Sequence, residues 1–126
     1  MPRAKVPTLL LVLLVAGTVL WLWFRWQNRL EHSQDGPILA AATRYGVEPA
    51  LVKAVVWRES RFNPQVHGAA GELGLMQLQE TAAQEWADAE HIGNFDHQTC
   101  LDPGTNTLAG AWYLRKLLRR YQLADD

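Results

Sequence analysis

This sequence has a single cysteine and no excess of basic over acidic residues. It also lacks the alternation of apolar and polar residues that is typical of β-strands. The single cysteine, Cys100, cannot form an intramolecular disulfide. Of the 12 basic residues only Arg3 and Lys5 precede residue 25, which leaves 10 basic against 13 acidic residues, a net charge of −3 with neutral histidines. That sign argues against a nucleic-acid surface and a polybasic membrane patch. Because no stretch alternates apolar and polar residues, we expect an all-α fold.

A metal site has little support either. His91, His97 and Cys100 cluster in the sequence, but their spacing of five and two intervening residues matches no standard zinc pattern. A loop with two exposed histidines explains the cluster without a ligand. We therefore expect neither a metal nor a cofactor.

The residues from Val6 to Phe24 form a long apolar run. These 19 residues carry no charge. As a helix they would extend about 28 Å, close to the hydrocarbon thickness of a bilayer. Trp21, Trp23 and Trp26 gather at the far end, where amphipathic rings favour the membrane interface. We expect an uncleaved single-pass anchor in the inner (cytoplasmic) membrane, with the following domain on the periplasmic or outer side.

A cleaved secretory signal is the rival interpretation of this run. Val15-Ala16-Gly17 is a poor cleavage site, because apolar residues and large tryptophans continue past it where small residues would be expected. We therefore assign residues 1–27 to the anchor and its flanks, 28–36 to a polar linker, and 37–126 to a helical domain.

Helix-start and helix-stop residues divide this domain. Gly46 ends a first helix that begins at Pro37, and Pro49 begins a second helix that stops before Asn63-Pro64. Thr81 and Gln84 have capping-box spacing, which predicts a short helix to about Asp88. Residues 90–99 are expected to form a loop.

Asp102-Pro103 begins the last predicted helix, as N-cap and first residue. Its expected buried stripe comprises Leu108, Ala111, Trp112, Leu114, Leu118 and Tyr121. Tryptophans at helical spacing lie more often in a core than in a binding site, so we assign no binding role to Trp57, Trp86 or Trp112.

The stretch from Trp57 to Leu78 carries the strongest functional signal. Glu59 follows Leu51, Val52, Val55 and Val56 at helical spacings, so the only acid in the body of this helix shares its apolar face. Apolar surroundings disfavour the charged form of a carboxylate, as a general acid near neutral pH requires. A glycine-dense loop follows, which lets backbone approach a ligand closely.

A purely structural role for Glu59 is the alternative. The carboxylate would then pair with Arg58 or Arg61, its neighbours in sequence. Adjacent helix positions point about 100° apart, so we expect neither arginine to reach back readily over the Glu59 face. Spacing alone leaves both interpretations open.

A set of short motifs extends over this part of the chain. They are Glu59-Ser60, Phe62-Asn63-Pro64, the run GELGLMQL from Gly71 to Leu78, Thr81-Ala82, and Leu101-Asp102-Pro103 through Asn106 with Gly110 and Tyr113-Leu114. In this order and at these intervals the set resembles the catalytic domain of lytic transglycosylases of the soluble (SLT) type, whose fold is similar to that of goose-type lysozyme. The resemblance runs from about Pro37 to Tyr121.

The resemblance implies cleavage of the β-1,4 bond between N-acetylmuramic acid and N-acetylglucosamine in peptidoglycan, which leaves a 1,6-anhydro end. Glu59 falls on the catalytic glutamate, which protonates the glycosidic oxygen and later takes the proton of the sugar's own C6 hydroxyl. Because the substrate supplies the nucleophile, one carboxylate suffices where ordinary glycosidases use two. We expect Glu72, the other acid of the stretch, to face solvent.

Four further residues, Ser60, Gly74, Met76 and Gln77, are substrate-binding candidates by the same resemblance. The amide of Gln77 can both donate and accept, which suits acetamido and hydroxyl groups. Structural explanations remain open for two of the four. Met76 fits a core position, and the Ser60 hydroxyl fits a hydrogen bond to the helix end.

The sequence departs from the resemblance in two places. SLT-type domains usually continue into a further helix with an A-Y-N-A-G-like motif, whose tyrosine approaches the catalytic glutamate, and Glu80 stands where proline is common. No such motif occurs in these residues, so we expect a lysozyme-like domain without its usual C-terminal helices. Glu59 would then be less enclosed, and apolar surface of the last helix would be uncovered.

Two classes of function therefore stay open. One is an anchored peptidoglycan-cleaving enzyme, completed by self-association or by an envelope protein partner. The other is an inactive homologue that binds glycan strands or another envelope protein. A plain hydrolase of the lysozyme kind is a third and less favoured alternative.

Overall fold

The computed structural model describes residues 7–122. Within that range the chain forms five α-helices and one short 3-10 helix. The α-helices are α1 (Thr8–His32), α2 (Asp35–Tyr45), α3 (Pro49–Ser60), α4 (Glu80–Ala89) and α5 (Pro103–Gln122), and the 3-10 helix is His97–Leu101. The only β-type pairing among these residues is a pair of isolated bridges, His67 with Leu73 and Leu73 with Leu78. The prediction of an all-α fold is confirmed.

Helix α1 contains most of the predicted membrane segment, although Val6 lies outside the described residues. None of its side chains is buried. Among the described residues it provides the one helix long and apolar enough to cross a membrane. Helix α1 continues to His32, and only Ser33 and Gln34 separate it from α2. The boundaries drawn at residues 27 and 36 stay predictions.

Helix α2 ends at Gly46 and helix α3 begins at Pro49, as the sequence predicted. Gly46 lies in the left-handed region at φ 63° and donates its N–H to the Ala42 carbonyl, which ends α2. Pro49 occupies the first turn of α3, where a missing N–H costs nothing. Helix α2 begins at Asp35, two residues before the predicted start at Pro37. The His32 ring and the Lys53 ammonium both contact the Asp35 carboxylate, each at 2.7 Å.

The prediction for the start of α4 was wrong in its cap. The helix begins at Glu80, and its N-cap residue, Gln79, makes no side-chain capping bond. The Gln84 amide instead donates to the Asp88 carboxylate within the helix. The predicted loop over residues 90–99 is not irregular throughout, because the 3-10 helix begins at His97. Asp96 caps this helix by accepting the Gln98 N–H. A capping-box pattern gives only local spacing, and here it does not mark the N-cap of the helix.

Helix α5 starts as predicted, because the Asp102 carboxylate accepts the Thr105 N–H at 2.8 Å. One residue of its predicted stripe was placed wrongly. Tyr121 is exposed, whereas Ala111 is buried and the other members are partly buried. The buried section of α5 lies nearer its start and comprises Asn106, Thr107, Ala109, Gly110 and Ala111. Tyr121 has no neighbouring element to cover it within the described chain, since the last turns extend beyond the packed part.

The core lies where α2 packs against α3 and α5 and where α4 packs against α5. Its buried members come from all four of these helices and from the connection before α4. They include Ile38, Ala41, Ala42, Val52, Val56, Leu73, Leu75, Ala83, Trp86, Ala87 and Ala109. Small alanines at the contact surfaces allow the helices to approach closely, so a thin domain still forms a continuous core.

A polar network fastens α4 to the end of α2. The Tyr45 hydroxyl donates to the Glu90 carboxylate at 3.0 Å and accepts the Trp86 indole N–H at 2.8 Å. Arg44 pairs with the other oxygen of Glu90 at 2.5 Å. These bonds from Arg44 and then from Tyr45 lower the pKa of Glu90 below its usual value. The charged carboxylate therefore stabilises the folded state.

This network predicts a pH dependence of stability. Because the folded-state pKa of Glu90 is lowered, its contribution is fully present above the unfolded pKa and is lost as the pH falls through the folded value. We expect Glu90→Gln to lower the free energy of unfolding at pH 7 and to differ less from wild type near pH 3. Urea denaturation at several pH values measures this, with Glu80→Gln as the control. A pH-independent difference would contradict it.

Candidate active site

Helix α3 presents three different faces, and Glu59 belongs to the open one. Val52, Val56 and Ser60 are buried in the core. Glu59 lies about 200° around the helix from Trp57, which places the two side chains on opposite sides. The helix ends directly behind the acid, where Arg61 and Phe62 both adopt positive φ values of 52° and 64°. These two left-handed residues turn the chain away sharply, so Glu59 projects from a rigid helix end.

The Glu59 carboxylate is more open than its helical spacing predicted. Its side chain is 40% exposed, and the nearest cation is the Arg58 Nε at 3.9 Å. The expectation of apolar enclosure was therefore wrong for the described residues, because the apolar stripe passes into the core beside Glu59 rather than around it. The expectation that neither arginine would reach Glu59 was wrong for Arg58. The Arg58 side chain is largely exposed, and ion pairs between exposed side chains contribute little to stability.

Ser60 is placed by the structure at the helix end. It is buried, and its hydroxyl donates to the Val56 carbonyl at 2.9 Å. This is the structural alternative that the sequence left open. With that hydroxyl in the core, Ser60 positions the end of α3 and does not face the same side as Glu59.

The loop from Val66 to Leu78 is held by its own backbone. Leu73 and Leu78 exchange both N–H to carbonyl bonds, at 3.0 and 3.1 Å. The Gly68 N–H donates to the Glu72 carbonyl at 2.7 Å, and the Gly74 N–H donates to the Val66 carbonyl at 2.9 Å. These paired groups fold the loop back on itself, so its shape is fixed before any ligand binds.

Gln77 and Glu72 both support this loop from within. The Gln77 Nε2 donates to the Val66 and Gly74 carbonyls, at 3.1 and 2.9 Å, and the residue itself has a positive φ of 48°. The donors of its amide are thus engaged by backbone. Glu72 is half-buried and accepts the Ala70 N–H at 2.9 Å, so the expected solvent-facing side chain instead caps the loop.

Gly74 and Met76 lie where the loop meets α5. Gly74 is buried at φ 75°, and a Cβ there would come within 2.3 Å of the Cys100 carbonyl oxygen. Met76 is only 7% exposed and packs on Gly110 of α5, where a Cβ would lie 2.2 Å from its sulfur. For Met76 the structure shows the core alternative.

Asn106 joins these parts, and sequence reasoning gave it no role of its own. Its Oδ1 accepts the Met76 N–H at 2.8 Å, and its Nδ2 donates to the Leu73 and Cys100 carbonyls at 2.8 and 2.9 Å. The side chain is fully buried. A signal existed in the sequence, since Asn106 lies four residues before Gly110 on the same face of α5.

Cys100 and His97 have structural surroundings. Cys100 is fully buried, and burial raises the pKa of its thiol to about 11, so the thiol stays protonated at neutral pH. A ring nitrogen of His97 lies 2.9 Å from the Leu78 carbonyl oxygen. Across residues 7–122 no group of three or more His, Cys, Asp or Glu side chains could hold a metal ion.

The candidate site thus consists of two parts, the exposed Glu59 carboxyl group and the hydrogen-bonded loop from Val66 to Leu78. Gly74, Met76 and Gln77 come together in the loop and Ser60 anchors the helix end. No hydrogen bond between described residues joins the Glu59 carboxylate to that loop. Chemically, the described site offers one solvent-accessible carboxyl group, with the Arg58 Nε 3.9 Å away, at the end of a helix whose opposite residues pack elsewhere.

Two glycines of the loop form a matched pair for testing this scaffold. Gly71 and Gly74 both have positive φ, but a Cβ at Gly71 meets nothing within 4 Å. Gly71→Ala should cost about 1–2 kcal/mol from the backbone conformation alone. Gly74→Ala should cost about 1–3 kcal/mol more, because the Cys100 carbonyl or the Asn106 amide must move. Urea denaturation in detergent micelles measures both, and equal losses would contradict the contact.

The Asn106 amide can be tested in the same way. Asn106→Ala removes the partner of the Met76 N–H and of the Cys100 carbonyl, whereas the Leu73 carbonyl keeps the Leu78 N–H, so we expect a loss of at least about 2 kcal/mol. The control is Asn63→Ala, which removes one exposed bond from the Gln65 N–H and should cost less than about 1 kcal/mol. Similar losses for the two variants would show that Asn106 does not hold the loop.

Comparison with known proteins agrees with this architecture. The family model described as Transglycosylase SLT domain matches residues 36–124. The membrane-bound lytic murein transglycosylase C of Cronobacter sakazakii (strain ATCC BAA-894) is 35% identical over 90 residues, 65% of this chain and 25% of that protein. This chain therefore spans about a quarter of that relative's length.

A solved structure shows the same fold. It is an X-ray structure of an inactive mutant of the lytic transglycosylase Slt from Pseudomonas aeruginosa, which superposes with a TM-score of 0.69 at 23% sequence identity. The match covers 75% of this chain and 15% of that chain. The resemblance seen in the sequence motifs is confirmed, and the family match covers most of the chain. This protein belongs to the Transglycosylase SLT domain family.

Proposed function

We propose that this protein is a membrane-anchored lytic transglycosylase that cleaves the β-1,4 bond between N-acetylmuramic acid and N-acetylglucosamine in peptidoglycan. The observation that carries the proposal is Glu59, a projecting carboxyl group at the rigid end of α3 in a domain of this family. The names of the relatives, a lytic murein transglycosylase and a lytic transglycosylase, support the reaction class.

The proposed chemistry needs one protein carboxyl group. Protonated Glu59 donates its proton to the glycosidic oxygen as the bond to C1 breaks, and the C6 hydroxyl oxygen of the same sugar then bonds to C1. The Glu59 carboxylate takes the C6 hydroxyl proton, which restores the acid and leaves a 1,6-anhydro end. The other carboxylate of the stretch, Glu72, is engaged by the Ala70 N–H, which supports a mechanism with a single acid.

Exposure of Glu59 bears on how the site works. A general acid gains from a dry environment, and the described residues leave 40% of this side chain open to solvent. In the proposed mechanism the glycan strand itself covers the carboxyl group when it binds. The surfaces that receive the glycan lie on the open side of α3, supported from within by Ser60, Gly74, Met76 and Gln77.

The membrane placement is part of the same proposal. Residues 6–24 would cross the inner membrane, and the domain would face the periplasmic or outer side. The apolar, unburied helix α1 and the name of the membrane-bound relative support this. A single-pass anchor confines the enzyme to glycan strands within reach of the membrane surface.

An inactive homologue that binds glycan or another envelope protein is the second candidate. The 40% exposure of Glu59 and the Arg58 Nε at 3.9 Å favour it, because the described residues do not enclose the carboxyl group in the dry environment from which a general acid gains. The two candidates differ in whether bonds are cleaved, so product analysis separates them.

The test is digestion of purified sacculi by the full chain in detergent micelles, with products analysed by mass spectrometry. We expect anhydro-muropeptides, and Glu59→Gln should lower their rate of release by about 100-fold or more, as loss of a general acid does. Glu72→Gln is the matched control, since a glutamine oxygen can still accept the Ala70 N–H, and its rate should stay within a few-fold of wild type.

Three other outcomes would count against the proposal. Unchanged product release by Glu59→Gln would remove this residue from the mechanism. Products with reducing ends would indicate hydrolysis. A folded wild-type chain that binds sacculi without releasing products would favour the binding function.

A further inference from the structure

The side of α3 that faces away from Glu59 forms an unassigned cavity with α1. Its volume is about 660 Å³, and its lining includes Trp26 and Leu30 from α1 and Lys53, Trp57, Arg61 and Phe62 from α3 and the residues directly after it. The α3 residues recur at positions 53, 57 and 61, which is one helical face. Neither the fold's core nor the site around Glu59 uses this face.

Trp57 is an unusual residue to leave open. It is 50% exposed, in contrast to the buried Trp86, so the general tendency of tryptophans at helical spacing to lie in a core does not hold at this position. The Arg61 guanidinium stacks on its ring at 3.9 Å from the centroid. Tryptophan and arginine side chains each have an apolar part and a polar end. Such side chains are favoured at membrane interfaces, where the apolar part is buried and the polar end meets water.

The position of the cavity along α1 gives its depth. The apolar run ends at Phe24, and Trp26 and Leu30 lie about 3 Å and about 9 Å further along the helix axis. The headgroup layer adds about 5–7 Å to each side of the hydrocarbon. If α1 is placed as in the proposed function, on which this inference rests, the cavity begins within the headgroup layer and extends to its outer edge.

The charges that line the cavity suit lipid headgroups. Within the described chain Arg61 makes no ion pair with a carboxylate, whereas Lys53 is paired with Asp35 at 2.7 Å. Glu31 also lines the cavity and contributes one negative charge. The Arg61 guanidinium is thus the group that can bind a phosphate, since its donors match phosphate oxygens.

We propose that this face, defined by Lys53, Trp57 and Arg61 together with Trp26 and Leu30, is a second membrane contact that binds the phospholipid headgroups of the bilayer. The Trp57 ring lies among headgroups, and Arg61 binds a lipid phosphate. The contact fixes the rotation of the domain about α1. Because Glu59 lies on the opposite side of α3, its carboxyl group faces away from this contact.

The test measures the depth of a spin label on this face. The full chain with Cys100→Ala and Ala54→Cys is labelled and reconstituted in vesicles of phosphatidylethanolamine and phosphatidylglycerol. Ala54 is exposed and lines the cavity, so its label leaves Trp57 and Arg61 in place. The matched control is Ala89→Cys, an exposed alanine beside Glu90, which contacts the end of α2 farthest from α1. Val19→Cys reports on the anchor itself.

Collision rates with oxygen and with a water-soluble nickel chelate give the result. We expect the ratio of oxygen to nickel accessibility to be highest at position 19, several-fold higher at 54 than at 89, and lowest at 89. In the chain labelled at position 54, Trp57→Ala with Arg61→Ala should lower the ratio towards that of position 89. Circular dichroism checks that each variant is folded.

The outcomes separate this inference from the proposed function. A deep label at 19 with equal ratios at 54 and 89 would overturn the second contact while leaving the anchor intact. A water-accessible label at 19 would overturn the anchor and this inference with it. An unchanged ratio at 54 in the Trp57 and Arg61 double variant would show that these two side chains do not hold the face at the bilayer.

Discussion

The amide of Asn106 is the group on which the site's support depends. It is fully buried and meets one backbone N–H and two backbone carbonyls from the loop and the 3-10 helix. A carboxamide carries both an acceptor and two donors, so it can satisfy this mixed set where a carboxylate or an apolar side chain cannot. Buried backbone groups that lack partners are costly. Asn106 therefore joins the loop, the 3-10 helix and α5 through one side chain.

Helix α3 has three faces, each with a different environment. Its core face joins α2 and the buried loop residues, its second face carries Trp57 towards α1, and its third presents Glu59. The helix stops within one residue of the acid, where Arg61 and Phe62 take left-handed conformations. Strained backbone of this kind persists only where packing enforces it, and here the buried Phe62 side chain provides that packing.

The substrate-binding residues suggested by the family resemblance have a common feature in the structure. Ser60, Gly74 and Met76 are buried, and the amide nitrogen of Gln77 is bonded to backbone carbonyls. The protein's own packing and backbone engage these groups in the described residues. Position within a motif therefore shows that a residue matters without showing whether it touches a ligand. The chain spans about a quarter of the length of its membrane-bound relative. The activity of that longer protein therefore does not carry over directly, and the proposed activity needs a test on this chain.

The sequence by itself determined the helical class, the family and several helix ends, because these depend on local chemistry. Gly46 and Pro49 act through their own backbone conformations, and the Asp102 carboxylate caps the nearest N–H groups of α5. Tertiary structure alone decided the exposure of Glu59, the burial of Met76 and the partners of Asn106. Each of these depends on which distant segment lies alongside, and helical spacing gives a residue's direction without giving what it meets.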